Sequence, residues 1–170
     1  MKPVLQFEDV CVTARAGDVC RINDLRIRSR EFCVLYGLNP ELQELLVRLA
    51  TGAAVASAGT VSVLGTNAGN CPENLWFQLV EKIAVLDPSV AVSDRISIGE
   101  YLADAFLTRD PAIGEPALSR NVLRIAELMK FTIAELSMNF AAAPATLQWK
   151  ARLGRHLAGR PRLLMLPLNL

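Results

Sequence analysis

The chain is poor in the residues that metal centres and disulfide frameworks require. Its 170 residues include four cysteines and a single histidine. Cys11, Cys20, Cys33 and Cys71 form no C-x-x-C pair, and His156 stands far along the chain from all of them. Zinc-ligand spacing is therefore absent. Cysteines flanked by apolar neighbours, as in Val10-Cys11-Val12 and Phe32-Cys33-Val34, read as buried reduced thiols in a reducing cytoplasm. An excess of charge of one sign is missing too: 18 basic residues face 17 acidic ones, for a net charge of +1. That excludes nucleic-acid binding driven by bulk charge. Arg152, Arg155, Arg160 and Arg162 gather late in the chain and read as a solvated helix face. No apolar run approaches the roughly 18 residues of a membrane span. The opening Met1-Lys2-Pro3-Val4 has no signal-peptide core, so any membrane role is expected to be indirect.

Hydrophobic residues, at 52%, are numerous enough for a globular domain with one core. Residues 3–13 and 19–28 alternate apolar and polar, the period of half-buried strands, around a turn at Ala16-Gly17-Asp18. The continuous apolar run 32–36, ending at Gly37, predicts a buried parallel strand. From Glu41 the period changes: Leu42, Leu45, Leu46 and Leu49 share one helix face, closed at Thr51-Gly52. A strand is expected at 60–64 between Gly59 and Gly65, a helix over 73–81, and a short strand at 82–86. Helical spacing returns at 98–106 and at 119–130, with Ser119 as the predicted N-cap. A small-residue loop at 139–146 leads into a helix near 147–158 and an apolar strand, Arg162 to Leu166. Strand, glycine turn and helix early on, then helix and apolar strand at the end, imply an α/β domain with parallel strands and a mostly helical middle.

Residues 31–65 (EFCVLYGLNPELQELLVRLATGAAVASAGTVSVLG) resemble the nucleotide-binding domain of ABC transporters. In that family an apolar strand enters a phosphate loop, a leucine-rich helix ends in glycine, and a glycine-led strand follows. Leu46, Arg48, Leu49, Gly52, Gly59-Thr60-Val61 and Leu64-Gly65 fall at the family spacing. The first strand, the segment Asp24 to Arg28, the segment Ile96 to Leu102 and the late Leu157-Ala158-Gly159-Arg160-Pro161-Arg162-Leu163-Leu164 are similar as well. The resemblance covers residues 4–170. It implies a P-loop-NTPase-like, mostly parallel sheet with an antiparallel N-terminal β portion and a helical subdomain insert. Residues 1–170 are then one degenerate domain, with the helical subdomain at roughly 89–146.

The resemblance stops at the chemistry. A working phosphate loop reads G-x-x-x-x-G-K-[ST]: backbone N–H groups and the lysine hold phosphates, and the hydroxyl ligates magnesium. Here Gly37 keeps the first position, but Leu42, Gln43 and Glu44 replace the second glycine, the lysine and the hydroxyl. Pro40 removes a donor beside Asn39. Glu41 and Glu44 each bring a carboxylate whose repulsion of a triphosphate is roughly 3 kcal/mol at an effective dielectric near 20. Where the family has an acidic strand end, this chain has Pro167 and Leu168. The glutamine loop falls on Pro88, the adenine-stacking aromatic on Ala14, and the L-S-G-G-Q signature on Ala143 to Leu147, although Leu136-Ser137 looks like its start. The sequence ends at Leu170, before the family's catalytic histidine is expected. The expectation is thus a pseudo-ATPase without catalytic residues, metal or cofactor, ATP and magnesium binding being lost.

The resemblance implies partners: a membrane permease subunit, an active ABC ATPase subunit, or both, at the inner face of the cytoplasmic membrane. Family domains grip a permease helix in a groove between catalytic core and helical subdomain. By that analogy Pro88, Val90, Val92, Ile96 and Ile98 are the candidate partner-binding residues. A second reading is an atypical ATPase using Asp87, Glu41 and Glu44. A third is a regulatory module holding a neutral ligand through Asn39 and Gln43. Trp149 and His156 read as surface or packing residues. Regular strand and helix periods throughout argue against a decayed reading frame.

Overall fold

The computed structural model describes residues 2–13, 19–36, 38, 40–87 and 90–166. It is an α/β protein of two compact units, Met1–Val85 with Arg162–Leu170, and Leu86–Pro161.

In the first unit, strand β1 (Pro3–Thr13) lies between β2 (Val19–Arg28) and β3 (Ala58–Val63), antiparallel to both, and β4 (Thr66–Asn67) pairs with β3. β1 does not keep one alternation. Leu5 and Phe7 are buried, but so are Val10 and Val12, on the opposite parity. The phase slips at Asp9, whose φ of 48° puts one extra residue of β1 against β3 between the Glu8↔Thr60 and Cys11↔Ala58 pairs. Such a bulge re-aims every side chain after it. Gly59 makes room for it: a Cβ there would stand 2.3 Å from the Asp9 carbonyl oxygen.

Helix α1 (Pro40–Ala50) buries Leu46, Leu49 and Ala50 against Phe7, Val10, Val61 and Val63, the face expected from its spacing. It ends in a left-handed glycine, Gly52, with φ of 74°. Helix α2 (Glu73–Val80) sets Trp76 over that glycine, and its indole N–H donates to the Thr51 carbonyl at 2.9 Å. β5 (Ile83–Val85) and β6 (Leu163–Met165) form a parallel pair in register Ile83↔Leu163.

Parallel pairing among the described residues stops at β5 and β6. The run 32–36, expected as a buried strand, is in no strand, and Phe32 and Tyr36 are 88% and 92% exposed. An apolar run has strand propensity, but a strand also needs a neighbour for its backbone donors and acceptors, and periodicity cannot report whether one is there. Cys33 is exposed with the run, and Cys11, Cys20 and Cys71 are half-buried. The expectation of buried thiols therefore fails.

The second unit is helical: α3 (Ile98–Leu107), α4 (Glu115–Leu128), α5 (Ile133–Ser137) and α6 (Ala145–Ala158) surround Ile98, Leu102, Phe106, Ile125, Phe140, Leu147 and Ala151. Ser97 and Glu100 form a capping box on α3, and Thr132 and Glu135 form another on α5. α4 starts earlier than expected. Gly114 is its N-cap and Pro116 sits in its first turn, where a missing N–H costs nothing, so Ser119 lies inside the helix. Gly154 lets α6 approach closely: a Cβ there would meet Leu102 at 3.2 Å and Ile125 at 3.3 Å.

Candidate functional site

The candidate site is the turn into α1, where a nucleotide-binding relative would hold phosphate. Gly37 and Asn39 lie outside the described residues. Leu38 packs on the core of the first unit, and Pro40 opens the helix. A first-turn proline fits, because that N–H has no helical partner anyway; the same residue removes a donor that an anion would use. The side chain of Gln43 does not reach outward. Its Nε2–H donates back to the Leu38 carbonyl at 3.2 Å, while its Oε1 is buried with no hydrogen-bond partner. Glu41 and Glu44 are exposed on the first turns, where carboxylates complement the positive end of the helix dipole. The same dipole that could attract a phosphate thus faces two built-in carboxylates. The nearest basic residue of α1, Arg48, sits in its last turn and donates to the Ala53 carbonyl at 3.4 Å.

Pro167 and Leu168, Pro88 and Ala14 all lie outside the described residues. Asp87 is exposed. The stretch aligned with the signature opens α6: Ala143 and Leu147 are buried, and Pro144 is the N-cap. Leu136-Ser137 ends α5 instead, with the Ser137 hydroxyl donating to the Ile133 carbonyl at 3.2 Å. Of the partner-binding candidates that are described, Val90 is exposed, whereas Val92 and Ile96 pack on the core of the second unit. Ile98 is fully buried as the first residue of α3, which removes it from the residues that can touch a partner.

The arginines of α6 are not a free solvated face. Arg155 donates to the Tyr101 carbonyl at 2.8 Å and to the Asp104 carboxylate at 2.6 Å, with its guanidinium 4.8 Å from the Tyr101 ring. Arg152 donates to the Val90 carbonyl at 2.9 Å and lies over the Phe140 ring. They tie α6 to α3 and to the segment before it. His156 is half-buried beside them, and burial, reinforced by Arg155 and Arg152, holds its pKa below the usual histidine value. Trp149 is half-buried too. Burial pushes the Tyr101 phenol up. Lys150 caps Phe131 at 4.2 Å and pairs with Glu135 at 3.6 Å. Sequence reasoning missed these contacts, and it passed over the S-x-x-E and T-x-x-E patterns that mark the capping boxes at Ser97–Glu100 and Thr132–Glu135.

Among the described residues no group of three or more His, Cys, Asp and Glu side chains could hold a metal ion, and no helix is long and apolar enough to cross a membrane.

No family model matches the sequence, and no curated protein matches it. Solved structures do match in shape. One is cbiO1 from Clostridium perfringens, part of the ABC transporter complex cbiONQ, at 14% identity and a TM-score of 0.81, covering 98% of this chain. A second, an ATP-binding subunit of an ABC transporter, aligns at 17% identity and a TM-score of 0.70, again over 98% of this chain. A third, a dimeric bacterial ABC transporter cassette, aligns at 12% identity and a TM-score of 0.73 over 95%. The chain spans 65%, 67% and 72% of those three proteins' lengths, respectively. The chain has the α/β fold of the ATP-binding subunits of ABC transporters.

Proposed function

We propose that this chain is a non-catalytic ABC-ATPase-like subunit, a structural or regulatory partner within a membrane transporter complex. The observation that carries this reading is Gln43. It stands at the family's lysine position, and its side chain closes on the Leu38 carbonyl of its own loop. A lysine there would present a cation to β- and γ-phosphates; a glutamine turned inward presents none. Glu44, at the position of the magnesium-binding hydroxyl, adds repulsion of roughly 3 kcal/mol at an effective dielectric near 20. Losing the lysine removes a comparable attraction. ATP and magnesium binding and hydrolysis are accordingly lost, and the shape remains.

In this reading β5 and β6 belong to a P-loop-type parallel sheet, and residues 1–170 are one degenerate nucleotide-binding domain with a helical subdomain. The partners are a permease subunit, an active ABC ATPase subunit, or both, at the cytoplasmic face of the membrane. What supports them is that cbiO1 is part of the complex cbiONQ and that a putative metal-chelate type ABC transporter is also similar, at 12% identity and a TM-score of 0.73. Affinity purification of the full chain from detergent-solubilised membranes tests the proposal. Recovery of a permease or an ABC ATPase is expected; recovery of neither would remove the assigned role. ATP turnover by the purified chain, abolished by Glu44→Ala, would favour an atypical ATPase instead.

A further inference from the structure

The second unit carries a shallow basin of about 330 Å³ that the nucleotide site does not involve. Arg109, Arg124 and Arg160 line it, together with Asn121, a single acidic residue, Asp110, and the apolar Phe106 and Ile113. Arg109 is fixed in place. Its Nη1–H donates to the Ala158 and Gly159 carbonyls at 3.4 and 3.1 Å, where the C-terminus of α6 gathers partial negative charge. Asp110 is occupied locally, its Oδ1 accepting the Ala112 N–H at 3.2 Å. The guanidinium groups of Arg124 and Arg160, by contrast, have no hydrogen-bond or ion-pair partner among the described residues. Arg120, one turn before Arg124 on α4, adds a further cation to that helix. Arg160 holds its place at a cost: its φ of 51° is left-handed, at the helix end where glycine is usual.

Three arginines against one acid leave the lining of the basin with an excess of positive charge, which an anion would offset. The forked donors of arginine fit the paired oxygens of phosphate or carboxylate. The volume is at the small end of ligand sites, and Ile113, half-buried, and the edge of Phe106 line it with apolar atoms for the body of a ligand. We infer that this basin binds a dianionic phosphate-monoester head carried on a small apolar body. The head belongs either to a free phosphorylated small molecule or to an anionic lipid.

The test is calorimetric titration of the full chain with phenyl phosphate and with inorganic phosphate at low salt, and sedimentation with phosphatidylcholine vesicles with and without phosphatidic acid. Phenyl phosphate is expected to bind with a Kd on the order of 1 mM or tighter, more tightly than inorganic phosphate, and to weaken as salt rises. Arg124→Ala and Arg160→Gly should each weaken it about fivefold or more. The glycine variant relieves the left-handed backbone, so its loss of binding is not a loss of folding. Vesicle binding that requires phosphatidic acid and is competed by phenyl phosphate identifies the lipid head; phenyl phosphate binding without vesicle binding identifies the free molecule. No saturable binding of phenyl phosphate up to about 10 mM and none to the vesicles overturns the inference. So does binding that both variants leave intact.

Discussion

Substituting Gly52 by alanine should be among the most damaging single-methyl additions to this protein. Gly52 closes α1 with φ of 74°, and an added Cβ would stand 2.3 Å from Nε1, 2.5 Å from Cε2 and 2.7 Å from Cζ2 of Trp76. The left-handed backbone alone costs an alanine roughly 1 kcal/mol. The indole must then move, which breaks its hydrogen bond to the Thr51 carbonyl, worth about 1 kcal/mol. It also loosens the contact of Trp76 with the core of the first unit. A total near 3 kcal/mol follows, against about 1 kcal/mol in a Trp76→Ala background, where only the backbone term remains. Urea denaturation followed by far-ultraviolet circular dichroism measures both, since that signal does not depend on the tryptophan being replaced. A Gly52→Ala cost below about 0.5 kcal/mol, or an equal cost in both backgrounds, would refute the packing reasoning.

Arg155→Ala should cost about 2 kcal/mol, mostly from the Tyr101 carbonyl bond and the ring contact, because Asp104 is largely exposed; Arg155→Lys should recover less than half. Gln43→Met should change stability by less than about 1 kcal/mol, since it trades one hydrogen bond for relief of the buried, unpartnered Oε1; a loss above about 2 kcal/mol, read by the same denaturation, would contradict that balance. His156 has its folded-state pKa held below the ordinary 6.5, so the unfolded chain binds protons more readily. Its contribution is present above pH 6.5 and is lost as pH falls below that value. His156→Gln should therefore lose less stability than wild type between about pH 7 and pH 5, above the range where Glu100 and Glu135, both held below 4.5 by their capping hydrogen bonds, make their own losses.

The elements that sequence reasoning located are those whose periodicity reflects their own packing. α1 buries the face that its residue spacing already separates from solvent, and β1 and β2 form over the runs whose alternation marked them, β2 with its apolar residues half-buried. What it misread depends on neighbours. The 32–36 run has strand composition but no described strand beside it, and composition is identical in either case. The bulge at Asp9 shows in the sequence only as two apolar parities, Leu5 with Phe7 and then Val10 with Val12. α4 begins at Glu115 because Pro116 starts helices as readily as it stops them, a signal passed over in favour of Ser119. At the site, the residue types at 42–44 were readable, but the inward turn of Gln43 was not, since it depends on where the Leu38 carbonyl lies. Arg152 and Arg155 read as solvated because their partners, Val90, Tyr101 and Asp104, are distant in sequence.

The most direct measurement is isothermal calorimetry of the purified chain with magnesium and ATP. With Gln43 closed on its own loop and Glu44 at the metal position, we expect no saturable binding below about 1 mM. A micromolar dissociation constant that Gln43→Ala weakens tenfold would place the nucleotide at the α1 turn and contradict the proposed loss of binding.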